Sequence, residues 1–424
     1  MVTKRKRSDL VECFHYLREH MSDVALPLTQ SPTAPTRAQM HARLAPFVSP
    51  DSFKGYMSFA IDVAIYALGI AGVLYFENVF GKLAGGLVAG AGLVNIGSLS
   101  HEAAHRSVVK SRFGNKVMAV VTLTMILFNY RLWIYDHHVL HHGRTNVKHN
   151  NFLSPLTAAE YANLSPFRRA LYRAYHSPSG LGILLYFMIE RWPTVHFIPG
   201  RWLPARFRPS AWRYAALMTV YAAALLSLLV LVPSALNHSV LATVLCGFVL
   251  PYAIWFMTFS MTAFLQHTNP QLRWYPTVSS VASPPESTSV HVGIPHFINH
   301  MTHYVLEHPV HHVSAMIPHY HLKKAQAALA DLVEPNIIRM NFTPRNMSDV
   351  LRRCRLYDYE AHAWLDFDGQ VTAVPLDISK VRSRTEPEGF LRDPVGEAAP
   401  GVFFPSEGDT APAEQSARDY RENA

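Results

Sequence analysis

The chain has 424 residues, of which 49% are hydrophobic and only 16% charged, where an ordinary soluble domain carries about a quarter charged residues. That balance points away from a freely soluble domain and towards lipid. The net charge of +8 does not call for nucleic acid, because the basic residues flank apolar segments, where anionic headgroups account for them. Cys13, Cys246 and Cys354 are too far apart for a disulfide framework or a Cys-x-x-Cys site, so any metal needs nitrogen or oxygen ligands.

Residues 1–54 read as a polar cytoplasmic arm, with "LTQSPTAPTRAQ" extended and partly ordered. Its first residues, "MVTKRKRSDLVECFHYLREH", lack the apolar run of a signal peptide, so no cleaved segment is expected. Four apolar segments follow in two pairs, at 57–76, 83–100, 212–232 and 239–266. Each is long enough to cross, or nearly cross, a hydrocarbon core of about 30 Å, and the short links make each pair a hairpin. Lys4 to Arg7 precede the first hairpin, Arg168, Arg169 and Arg173 lie between the two, and Arg201, Arg206, Arg208 and Arg213 lead into the second. The positive-inside rule therefore places both termini and the central segment in the cytoplasm.

As a helix the fourth segment reaches roughly 42 Å, about 12 Å more than the hydrocarbon requires. Its surplus ends at Gln266 and His267, and the second segment runs directly into "SHEAAH". Both hairpins thus deliver histidine to one side. Two further apolar stretches, 117–135 and 180–198, would carry the residues between them to the far side if both crossed, so they are read as interfacial or packed on the cytoplasmic domain. A six-span chain is the alternative. Residues 371–424 are expected to be a disordered tail, most clearly beyond about residue 380, where Pro, Glu and Ala dominate.

Three histidine boxes stand at the ends of these elements. "HEAAH" sets His101 and His105 at i and i+4 on one helix face, able to share a metal. "HVLHH" carries His138, His141 and His142, and "HPVHH" carries His308, His311 and His312. In an H-x-x-H-H run on an α-helix, the first histidine lies three and four positions before the others, and all three can face one way. So many imidazoles exceed one tetrahedral site, and a centre of two metals is the economical reading.

Boxes in this order around two hairpins resemble the membrane fatty acid desaturases. The likeness spans residues 55–370 and extends to "HHGRTN", "FLQHTNP", "HHVSAMIPHYHL" and "RRCRLYDYEAHAWLDFDG", which are similar to the acyl-lipid omega-6 (delta-12) branch and its bacterial relatives. The resemblance implies an all-α integral membrane protein with four transmembrane helices and a cytoplasmic helical domain, in a bacterial inner membrane. It implies two non-haem irons, dioxygen as co-substrate, and nine ligands: His101, His105, His138, His141, His142, His267, His308, His311 and His312. Asn269 and Tyr304 depart from the family pattern. The second departure leaves His303, Asn299 or a water to complete the coordination. His137 is read as a group behind the ligands or a bystander, and Glu102, Asp136 and Glu307 as acids that orient imidazoles.

The reaction implied is oxygen-dependent introduction of a cis double bond into a fatty acyl chain linked to lipid, coenzyme A or acyl carrier protein. No His-Pro-Gly-Gly stretch or cysteine cluster marks a fused redox domain, so a separate ferredoxin-like or cytochrome-like donor is expected. Hydroxylases, acetylenases and carotenoid-modifying enzymes share the boxes and remain the alternative. "HEAAH" also fits a zinc protease in which Glu102 is the base, and a membrane metal transporter is a third reading.

Overall fold

The computed structural model describes residues 35–149, 152–334 and 336–375. The first 34 residues of the arm and the tail from residue 376 onward lie outside them. Where the arm is described it is helical rather than extended: Thr36 and Gln39 form a reciprocal cap at the start of Arg37–Leu44. The buried Met40 and Leu44 of that turn pack with Leu322, Leu329 and Val333.

Among the described residues, four helices are long and apolar enough to cross a membrane, or five if the bent pair Arg112–Met125 and Tyr130–Arg144 is one span. Helix α1 is Ser52–Tyr75, begun by Asp51, whose carboxylate accepts from the backbone N–H groups of Phe53 and Lys54. Helix α2, Val79–Ala104, starts at Asn78 and continues without a break through His101. The two approach closely because side chains are missing at the crossing: a Cβ on Gly92 would lie 2.7 Å from the backbone of Tyr66. Helix α2 is the central span, with 56% of its apolar window buried.

The stretch expected at 117–135 does not run as one straight helix. Helix α3, Arg112–Met125, and helix α4, Tyr130–Trp133 with its continuation to Arg144, meet at 111°. Asn129 makes the corner: its side chain accepts from Arg131 and Leu132 N–H and donates to the Ala211 carbonyl. From Ile134 to His141 the chain is π-helical. The stretch at 180–198 forms helix α5, Leu181–Tyr186, which widens into a second π-helical run, Phe187–Phe197.

The second hairpin is helix α6, Arg208–Ala235, and helix α7, Val240–His267, whose course includes a π-helical turn at Leu245–Val249. Helix α6 is peripheral, with only 22% of its window buried and Leu217, Val220, Leu228 and Leu231 exposed, an apolar exterior suited to lipid. Past α7, strand β1 (Val290–Gly293) pairs in parallel with β2 (Ile338–Asn341). Between them come helix α8, His308–Val313, and helix α9, His319–Val333. A small antiparallel sheet, β3 (Leu356–Asp358), β4 (Ala363–Leu365) and β5 (Val371–Ala373), closes the described chain. Its Trp364 indole donates to the Leu272 carbonyl, just beyond α7.

Candidate metal centre

The ends of α2, α4 and α7 and the whole of α8 bring their histidines to one place. One nitrogen from each of His101, His105, His137, His142 and His311 lies within 4.8 Å of all the others, and the same holds for His141, His267, His308 and His312. Box two serves both groups, as does box three. His142 and His311 belong to the first, and their Nε2 atoms are 3.1 Å apart. In the second, His308 Nε2 stands 2.9 Å from His267 Nε2 and 3.0 Å from His312 Nε2. The groups adjoin, with the His142 and His312 rings 4.7 Å apart.

Nitrogens gathered this way suit a cation. A neutral imidazole has one N–H and one lone pair, so a ring of converging Nε2 atoms cannot satisfy itself by hydrogen bonds. Among the described residues, the buried His105 Nε2 and His138 Nε2 have no hydrogen-bond partner. Burial first, and then the neighbouring imidazoles, hold His105, His137, His142, His308, His311 and His312 well below the ordinary value of 6.5. Burial, with His101 and Arg106, pushes His138 down to about 3. All are therefore in the neutral form that binds metal, and an all-imidazole donor set suits iron, as it does zinc, copper and nickel.

The surroundings aim these rings. Glu102 Oε1 is 3.0 Å from His101 Nδ1 and 3.9 Å from His311 Nδ1, while Ser107 Oγ donates to Glu102 Oε2. Such a carboxylate fixes the tautomer and turns Nε2 to the metal side. Because Glu102 is committed to His101 and Ser107 behind the converging rings, it is not placed as the free base of a protease. Asp136 and Glu307 do otherwise: Arg191 donates to both oxygens of Asp136, at 3.1 and 2.8 Å, and Glu307 pairs with His291 and accepts from Asn299 Nδ2. His267 Nδ1 faces the Thr288 carbonyl at 3.3 Å.

His303 lies elsewhere, with its Nε2 2.7 Å from Asp62 of α1 and its ring 4.4 Å from that of His319. Tyr304 turns its hydroxyl to His300. His137, set behind the ligands or aside by spacing, sits inside the first group, and His138 falls outside both. Arg191 and His196 were not singled out by sequence. The signal available was a buried charge and an imidazole within the apolar run "FMIERWPTVHFI".

Several of the histidines line an apolar cavity of about 390 Å³, within the usual size of a small-molecule site. His101, His137, His141, His267 and His308 line it together with Trp255, Phe259, Leu265, Val292, Ile294 and Leu306. Gly97 is required at its wall, since a Cβ there would fall 2.1 Å from the Trp255 ring.

The sequence model of the fatty acid desaturase family matches residues 79–344. The chain is 24% identical to the sn-1 oleoyl-lipid 12-desaturase of a Synechocystis species, over 74% of this chain and 86% of that one. It is 23% identical to the chloroplastic omega-6 fatty acid desaturase of Brassica napus, over 75% and 69%, and 24% identical to a ferredoxin-type sn-1 acyl-lipid omega-3 desaturase of a Nostoc species, over 66% and 76%. A match across more than half of the chain, from helix α2 through all three boxes and the second hairpin, shows the family: this chain belongs to the fatty acid desaturases and is an oxidoreductase.

Proposed function

We propose that the protein is an acyl-lipid desaturase of the omega-6 (delta-12) type, which places a second cis double bond in a monoenoic chain. The observation that carries this is the adjacency of two all-imidazole groups that line an apolar cavity, together with relatives named as oleoyl-lipid 12-desaturase and omega-6 desaturase. His101, His105, His142 and His311 would hold one iron and His141, His267, His308 and His312 the other, with His138 beside the first group, its ring 4.3 Å from that of His105. Bound iron would supply the dioxygen-activating redox centre that an unactivated methylene pair needs.

The chain's own residues bind and place. Trp255, Phe259 and Leu265 hold the acyl chain by apolar contact and exclude water, and the cavity wall fixes which carbons reach the histidines. Residues 55–370 form the catalytic unit. Electrons come from a separate carrier of the ferredoxin class, the donor named for the Nostoc relative. The basic flanks of the hairpins support a multi-pass protein of a bacterial inner membrane with both termini and the boxes cytoplasmic.

Expression in a host without polyunsaturated fatty acids, followed by lipid profiling, tests the reading. New cis dienes are the expected product. Hydroxylated or acetylenic chains would transfer the protein to another oxygenase class of the same family.

A further inference from the structure

Most polar side chains in the cavity wall are already engaged. Ser98 and Ser100 donate to carbonyls of their own helix, and Gln266 donates to the Val305 carbonyl. Trp133 and His196 line the same cavity and are 5% and 1% exposed. Yet Trp133 Nε1 and both ring nitrogens of His196 have no hydrogen-bond partner among the described residues. A buried indole or imidazole ordinarily finds one. Burial first, and then Arg191, holds His196 well below the ordinary value of 6.5, so the ring is neutral and keeps one N–H.

Neighbouring rings fix both side chains. His196 stacks on Phe128 at 4.4 Å and 6°, meets Phe259 edge to face at 5.7 Å and lies 5.8 Å from Trp133. Its carbonyl accepts from the Asn129 N–H at 2.8 Å, which ties it to the corner before α4. Trp133 in turn stands edge to face with His101, 6.4 Å away. The order along the wall is His101, Trp133, His196.

A saturated acyl chain has no acceptor for these N–H groups. A monoenoic chain brings π electrons, a weak acceptor that an N–H can use. A methylene-interrupted diene keeps its two double bonds one methylene apart, so the existing bond must lie close beside the carbons that react. Trp133 and His196 stand in that relation to His101. We propose that these two residues form a subsite for the double bond already present in the substrate, and that His196 is a specificity-determining residue favouring monoenoic over saturated chains. The inference rests on the omega-6 reading above.

The test uses the full iron-loaded chain in detergent. A labelled cis-monoenoic phosphatidylglycerol is displaced by unlabelled competitors of equal chain length, one cis-monoenoic and one saturated. The unsubstituted protein should prefer the monoenoic competitor, and absence of that preference overturns the subsite. His196→Phe keeps an aromatic ring against Phe128 but removes the N–H, and the preference should fall roughly two- to fivefold. An unchanged preference, including an equal weakening of both competitors, shows a packing role and overturns the inference. Should that variant fail to fold, Trp133→Phe removes the indole N–H and is read by the same ratio: a similar fall supports the subsite, and no change overturns it. Lipid profiling of the unsubstituted protein separates the two readings. Dienes, with an unchanged preference in the variants, sink the subsite alone, whereas monoenes formed from saturated chains overturn the omega-6 reading itself.

Discussion

The two imidazole groups use one kind of donor but are supported differently. Behind the first stands a carboxylate, Glu102, against His101 and within 3.9 Å of His311. Behind His267 of the second stands the neutral Thr288 carbonyl. An anion that accepts from a ligand's distal N–H raises that ligand's basicity more than a carbonyl does. The first group should therefore hold its metal more tightly, and the second should be the easier one to empty.

The largest effect expected comes from cutting into the weaker group. His267→Ala removes one of the four imidazoles of the second group, and diene formation should fall at least about a hundredfold. Iron per chain should drop towards half, with the loss confined to one component of the Mössbauer spectrum. A variant that keeps all its iron would remove His267 from the centre.

A smaller change tests the cause of the asymmetry. Glu102→Gln preserves the size of the side chain but not its charge, and iron affinity at the first group should weaken roughly 10- to 100-fold. Chelator competition reads this directly. If both groups lose affinity equally, the carboxylate does not set the difference between them.

The mildest effect concerns both groups together in the metal-free protein. His105, His137, His142, His308, His311 and His312 are held below 6.5 in the folded chain, so below that value the unfolded chain takes up protons that the folded chain does not. Stability is then full above about pH 6.5 and is lost as pH falls. Thermal denaturation in detergent should show the midpoint dropping by several degrees between about pH 7 and pH 5. A flat profile would contradict the burial of neutral rings.

Both hairpins and the location of the boxes were legible in the sequence, because apolar length and histidine spacing are local signals. The surplus length of the fourth segment correctly carried His267 to the other histidines. Three features were not legible, and each depends on a distant partner. The corner at Asn129 is held by the Ala211 carbonyl. The helical turn in the arm buries Met40 and Leu44 against α9. The π-helical form of box two accompanies the Asp136–Arg191 pair, whose partners lie 55 residues apart. An α-helical template brings His138 under His142 there, one residue away from the imidazole the fold presents.

The pairing of Asp62 with His303 bears on how the molecule is made. Asp62 lies near the middle of α1, and its partner is 241 residues further along the chain. Until that partner is synthesised the acid lacks its His303 contact, and an aspartate at mid-helix opposes insertion by about 2.5–3.5 kcal/mol. The segment before box three, once it docks on α1, therefore offsets part of the cost of inserting the first hairpin, and ties a membrane helix to the part of the chain that carries the histidines.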